Sequence, residues 1–161
     1  MSKDKGKCIV CDIDGTVALM KGKRTPYEYH KAMFDEPNQV VIDVLWATRA
    51  FYEEMLKEEV GIIFTSAREN KALLKDECGF SDVAELTKAW VERYVMSESN
   101  PRYIFRKAGD YRKDAFVKFE IGKEILKEHN ILCVFDDRNQ VVDMWRNGLG
   151  LTCFQVADGN F

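Results

Sequence analysis

Short apolar runs alternate along the chain with longer stretches in which apolar residues return every three or four positions. Cys8, Ile9, Val10 and Cys11 make the first run, Val60 to Thr65 the second, Ile131 to Phe135 the fourth and Leu151 to Val156 the fifth. The third, Arg102 to Lys107, has similar length but is flanked and interrupted by charge. A continuous apolar run of this size reads as a strand covered on both faces, as in a parallel sheet. The stretches between carry the period of helices. Asn38, after Pro37, is placed to cap one in which Val41, Leu45, Thr48, Tyr52 and Leu56 recur to about Lys57. Asp82 and Glu85 form a capping box for a second, which carries Trp90 and runs to about Val95. Val117, Ile121 and Ile125 mark a third from about Arg112 to Glu128; a fourth begins at Asp137 or Arg138, carries Val141, Met144 and Trp145, and stops at Gly148 and Gly150. Residues 17 to 37 hold no sustained period and read as a loop with a small flap at most.

Strands alternating with helices at this spacing predict βαβ units: an α/β protein with a mostly parallel five-stranded sheet between two layers of helices. The length of 161 residues fits one domain. No internal repeat and no G-x-x-x-x-G-K-[ST] phosphate loop is present, so no ATP-dependent kinase is expected within the chain.

Composition narrows the partners. A formal net charge of -3 and a pI near 5.5 argue against bulk attraction to nucleic acid or anionic lipid, so any polynucleotide contact must be local. No stretch has the apolar length of a membrane span and Met1 to Lys7 lacks a signal-peptide core, which predicts a cytosolic protein without membrane contact. Five scattered cysteines, Cys8, Cys11, Cys78, Cys133 and Cys153, read as reduced core thiols. Cys8 and Cys11 form a C-x-x-C, but within a strand they face opposite sides.

The chemistry collects at the ends of the strands. In an open parallel sheet, ligands bind beyond the carboxyl ends of the strands. The first run is followed by Asp12 and Asp14, the second by Ser66 and Arg68, the third by Asp110, Arg112 and Lys113, and the fourth by Asp136 and Asp137. Acids from the first and fourth strands would crowd one another unless a cation intervenes. All-oxygen ligands without histidine or thiolate favour a hard ion such as Mg²⁺. Asp136 and Asp137 would otherwise serve as helix caps. Lys113, at a helix start where the dipole disfavours a cation, either belongs to a solvated helix face, which spacing alone favours, or grips an anion together with the Ser66 hydroxyl. Of Asp12 and Asp14, one carboxylate can attack phosphorus and the other can protonate the leaving oxygen.

The sequence D-x-D-G-T at residues 12 to 16, a serine after the second strand, a lysine and a late acidic pair stand here in order, and the pattern resembles the haloacid dehalogenase superfamily of phosphohydrolases. Arg24-Thr25-Pro26-Tyr27, Thr65-Ser66-Ala67-Arg68-Glu69, Gly109 to Asp114 and Asp136 to Trp145 are similar, more closely, to the phosphatase domain of bacteriophage polynucleotide kinase/phosphatases, with likeness from about Cys8 to the carboxyl terminus. The resemblance implies a Rossmannoid fold with a minimal cap, and a free-standing phosphatase half without the kinase. It implies Asp12 as nucleophile and Asp14 as general acid/base. Ser66, Lys113, Arg24 and Arg68 would be phosphate ligands, Asp110 and Thr16 supporting residues, and Asp12, Asp14, Asp136 and Asp137 the Mg²⁺ side. The loop before Arg24 is one residue longer than the family pattern, which leaves Lys23 as the alternative to Arg24, and Ala67 stands where glycine is usual.

The implied activity is removal of a 3′-phosphate from DNA or RNA ends, extending to 2′,3′-cyclic phosphate on RNA. A separate kinase and ligase would complete the repair, in the host cytoplasm if the chain is phage-encoded. Segments 17 to 37 and 69 to 110 are too short for a large cap, and an open site suits a polymer end. Lys21, Lys23, Arg24 and Lys31 on one loop and Arg102, Arg106, Lys107 and Arg112 on another are expected to form a basic rim, while Tyr27, Tyr29, Tyr103 and Tyr111, the aromatics that could stack on a terminal base, are each expected to pack locally. Two alternatives stay open: a phosphatase of free nucleotides or other small esters, and a non-catalytic phosphate-binding module.

Overall fold

A computed structural model describes residues 5–71, 74, 79–96 and 101–160. In chain order its elements are β1 (Gly6–Asp12), β2 (Ala18–Leu19), a 3-10 turn (Tyr29–Phe34), β3 (Glu36–Pro37), α1 (Gln39–Leu56) and β4 (Val60–Glu69). Then come α2 (Val83–Tyr94), β5 (Arg102–Arg106), α3 (Asp114–Glu128), β6 (His129–Arg138), α4 (Asn139–Asp143) running into a π-turn (Met144–Gly148), and β7 (Cys153–Gly159). The main sheet is parallel throughout with strand order β5-β4-β1-β6-β7. The first strand is therefore central, between the second and fourth of the five main strands. This is the three-layer α/β architecture that the alternation predicts.

Each face of β1 feeds its own core. Ile9, Cys11 and Ile13 pack with Ile62 and Phe64 of β4 and with Leu45 of α1 and Trp90 of α2. Cys8 and Val10 pack on the other face with Ile63, with Val117, Ile121 and Ile125 of α3, and with Trp145. The alternation of strand side chains thus sends Cys8 and Cys11 to opposite layers. Cys8, Cys11, Cys133 and Cys153 are free and buried, and burial pushes the Cys133 thiol up to about 11 and those of Cys8 and Cys153 to about 12. Cys78 lies outside the described residues.

Four elements differ in extent from the apolar pattern. β4 continues past Thr65 to Glu69 and β6 past Phe135 to Arg138, because ladder bonding continues where side chains turn from the core to the site. β7 starts at Cys153, two residues after the apolar run does. α3 starts at Asp114 because Lys113, with ψ 144°, is still extended. Both extended ends are irregular. The β4–β5 register shifts between Ser66 and Glu69 and the β6–β7 register between Asp136 and Arg138, and such bulges re-aim side chains beside functional sites. Residues 17 to 37 hold the two-residue ladder β2–β3, a small flap. Among the described residues no helix is long and apolar enough to cross a membrane.

Candidate active site

The carboxyl ends of β1, β4 and β6 meet the start of α3 around a cavity of about 520 Å³. Asp12, the last residue of β1, is 4% exposed. Its Oδ1 accepts from Lys118 Nζ at 2.5 Å and its Oδ2 from Thr16 Oγ1 at 3.1 Å. Lys118 also donates to Asp136 Oδ2 at 2.8 Å and is itself 3% exposed. Burial alone would lower the Lys118 ammonium, but Asp12 and Asp136 outweigh it and hold the charge on. Burial raises Asp12 well above the carboxylate range, against the opposing pull of Lys118 and with the help of Asp136 and Asp137.

Asp14 has different surroundings. Arg68 donates to its two oxygens from Nε at 2.8 Å and Nη2 at 2.6 Å, a bidentate grip, and Arg24 Nη2 adds a third bond at 2.8 Å. Burial would raise this carboxyl, yet the two guanidiniums hold it below its usual range. Asp35, 3% exposed, anchors both arginines: Arg24 Nε and Nη2 donate to it at 2.7 and 2.6 Å, and Arg68 Nη2 at 3.3 Å. Arg68 reaches this place because Ala67 and Arg68 are the bulged pair of β4.

Asp136 is saturated by Lys118, by Trp145 Nε1 at 3.2 Å and by the amides of Asp137 and Arg138 at 3.0 and 3.3 Å. Asp137 is pushed up to about 6 by burial and by Asp136. It lies against Gly15, where a Cβ would fall 2.1 Å from Asp137 Oδ2, so only glycine leaves room for that carboxylate. Oxygens of Asp12, Asp136 and Asp137 all lie within 4.8 Å of one another. A buried cluster of hard oxygens, with the Asp12 and Asp137 carboxyls both raised by burial and by their acidic neighbours, fits a divalent cation of the Mg²⁺ type.

Several expected residues lie elsewhere. Lys113 is exposed at the N-cap of α3, and the lysine that meets Asp12 is Lys118, further along the same helix. Asp110 does not hold Lys113; it accepts from Arg112 Nε at 2.9 Å and Nη2 at 2.7 Å. Asp14 stands apart from the three-carboxylate cluster because the arginines occupy its oxygens. Arg24 and Arg68 spend most of their donors on Asp14 and Asp35, which makes them holders of Asp14 more than open phosphate ligands. Between Lys23 and Arg24, the buried partner is Arg24, while Lys23 pairs with Glu36 at 2.9 Å. Ser66 is buried, and its Oγ accepts from the Arg68 amide at 3.1 Å. The basic rim is largely neutralised: Lys21 pairs with Glu36, Lys31 with Glu28, and Arg112 with Asp110 and Glu120. Arg102 opens β5 at the opposite edge of the sheet and pairs with Glu128.

The pattern at the strand ends did not single out Asp35, Arg106, Asp114 or Lys118. Asp114 is bonded by both Arg106 and Arg138, and these three line the same cavity as Asp12 and Asp14. Lys118 carried the one readable signal, a charge on the stripe that it shares with Ile121, Gly122 and Ile125.

A family model described as "Polynucleotide kinase PNKP phosphatase domain" matches residues 6–161. The chain belongs to that family. It shares with the family the haloacid dehalogenase fold and a phosphatase domain. A viral relative, "Putative bifunctional polynucleotide kinase/RNA ligase" of Autographa californica nuclear polyhedrosis virus, is 27% identical over 153 residues, 94% of this chain but 19% of that protein. A solved structure, "Structure of the Pnkp1/Rnl/Hen1 RNA repair complex", contains a chain 33% identical to this member, with TM-score 0.77, covering 99% of it and 45% of the larger chain. A second, "Structure of Pnkp1/Rnl/Hen1 complex", matches with the same identity and TM-score over 49% of its chain. This family member thus spans less than half of each of these relatives.

Proposed function

We propose that the protein is a Mg²⁺-dependent polynucleotide 3′-phosphatase acting on nucleic-acid ends through an aspartyl phosphate. The observation that carries this reading is the division between two carboxylates in one cavity: Asp12 held by Lys118, and Asp14 held apart from it by two arginines. In the first step an Asp12 oxygen bonds to phosphorus, the bond from phosphorus to the ester oxygen breaks, and Asp14 delivers a proton to that oxygen. In the second, water attacks the aspartyl phosphate, its proton passes to Asp14, and Asp12 leaves. Asp14 is ionised while Arg24 and Arg68 face it alone, which suits it as the base. A dianionic phosphoryl group beside it competes for those guanidiniums and raises it towards the acid form that the first step needs.

Lys118 stabilises charge on the Asp12 side throughout, and Ser66 with the helix-start amides of α3 are the proposed phosphate partners. Asp12, Asp136 and Asp137 would hold the Mg²⁺, with Asp136 orienting through its four donors. When bound, the ion supplies charge neutralisation for the phosphoryl oxygens. An RNA setting, with kinase and ligase activities in the same repair, is supported by the descriptions of the relatives.

The test compares phosphate release from a 3′-phosphorylated oligonucleotide, its 5′-phosphorylated counterpart and a nucleoside 3′-monophosphate, with Mg²⁺ and with EDTA. The expected result is strong preference for the 3′-phosphorylated oligonucleotide, lost in EDTA. Equal or better release from the mononucleotide would replace this reading by a small-ester phosphatase. No release from any of the three would leave a binding module.

A further inference from the structure

Three tyrosines line the cavity: Tyr29 is partly buried, whereas Tyr27 and Tyr111 stand exposed at the mouth on two separate loops. Tyr27 is 85% exposed on the wall formed by Met20 and Pro26, and Tyr111 is 87% exposed on the wall formed by Asp110 and Arg112. Scattered exposed aromatics are ordinary, but two facing the same opening on braced loops are not. On the first wall, Arg24 Nη1 donates to the carbonyls of Thr25 at 3.2 Å and Pro26 at 3.5 Å. On the second, Arg106 Nη1 donates to the carbonyls of Asp110 at 2.7 Å and Arg112 at 2.6 Å, fixing the backbone on both sides of Tyr111. Both guanidiniums are buried and also bond the machinery, Arg24 to Asp14 and Arg106 to Asp114. Among the described residues neither ring joins an aromatic or cation–π contact. Both loops are thus braced through their main chain, and both rings are exposed.

Electrostatics cannot supply much of the affinity for a polyanion here. The floor is acidic, and the cations of the rim are mostly ion-paired. Planar stacking supplies affinity without unpaired charge and does not depend on which base is present. We propose that Tyr27 and Tyr111 are the specificity determinants of the site, stacking on the terminal bases of a polynucleotide so that its end phosphate reaches Asp12. This rests on the phosphatase reading above and assigns what distinguishes a nucleic-acid end from a small ester.

Steady-state phosphate release is measured on two 3′-phosphorylated oligonucleotides, one with a normal terminal nucleoside and one with a tetrahydrofuran residue in its place. On the normal end, Tyr27→Ala and Tyr111→Ala should each raise KM by about ten-fold with kcat retained, and Tyr27→Trp and Tyr111→Trp should restore it. On the tetrahydrofuran end most of the alanine effect should disappear. Wild-type KM on both oligonucleotides, an equal loss on both ends, or failure of tryptophan to restore KM would overturn the stacking role while the phosphatase reading stood. Absence of release by the wild type from either oligonucleotide would remove both, and shows itself before any variant is made.

Discussion

Among the described residues Lys118 is the cation that bridges the buried carboxylates of Asp12 and Asp136, so its removal has a sign that can be argued in advance. Deleting one partner of a buried charge pair leaves uncompensated charge and costs about 3–5 kcal/mol. Lys118→Met should lower the stability of the metal-free protein by that amount in urea unfolding, and should reduce turnover about 100-fold or more. Lys113→Ala, on the exposed N-cap, should change stability by less than about 0.5 kcal/mol. Asp12→Asn should abolish turnover with the fold retained, visible in an unchanged circular dichroism spectrum. Asp137 and Asp12, both raised by burial, give the metal-free protein a pH dependence of one sign, and Asp137 sets its acid side. The Asp137 value of about 6 in the folded state lies above the ordinary 3.8, so its stabilising contribution is full below 3.8 and disappears as pH rises through 6. The Tm of EDTA-treated protein should therefore fall between about pH 4 and pH 7, and Asp137→Asn should flatten that fall. Added Mg²⁺, which prefers the ionised carboxylate, should stabilise more at the higher pH.

At the level of elements, Gly122 of α3 shows packing overruling propensity. Glycine inside a helix costs about 0.5–1 kcal/mol relative to alanine, which by itself predicts that Gly122→Ala stabilises. A Cβ there would fall 2.5 Å from Leu149 Cδ1 and 2.6 Å from Trp145 Cζ3, both in the well-filled layer beneath α3. Overpacking of that kind costs about 1–3 kcal/mol, so the substitution should lower Tm. The same layer explains what could be read from the sequence. Strands whose side chains all enter a core leave continuous apolar runs, so the central strands and the class were legible, as was the acid after β1. The ends of β4 and β6 turn polar side chains into the site and therefore carry no apolar signal. Lys118 escaped for a related reason. The strand-end rule looks just past each strand, whereas this lysine reaches the floor of the cavity from inside α3. Asp35 came from a segment without period, brought in only by the fold.

For the molecule as a whole, the question is how an acidic protein meets a polyanion. With the rim paired internally, Lys107 and Lys113 are the exposed cations near the mouth for which no ion pair stands among the described residues. Two phosphate contacts predict a slope of about -1.4 for the logarithm of single-strand affinity against the logarithm of salt. Titration of KM for the oligonucleotide against NaCl should give a value near this; a slope several times steeper would mean that the internal pairs open to the substrate.

The braces of the two walls have a further property. Arg24 and Arg106 hold their loops through main-chain carbonyls, a group that every amino acid carries, while their remaining donors hold the reacting carboxylates or their neighbours. Side chains at the wall positions can thus be exchanged over evolutionary time without disturbing the acid strengths beneath them. Substrate choice and bond-breaking are inherited as separable traits on one scaffold, and a change of diet requires only the replacement of what the loops display.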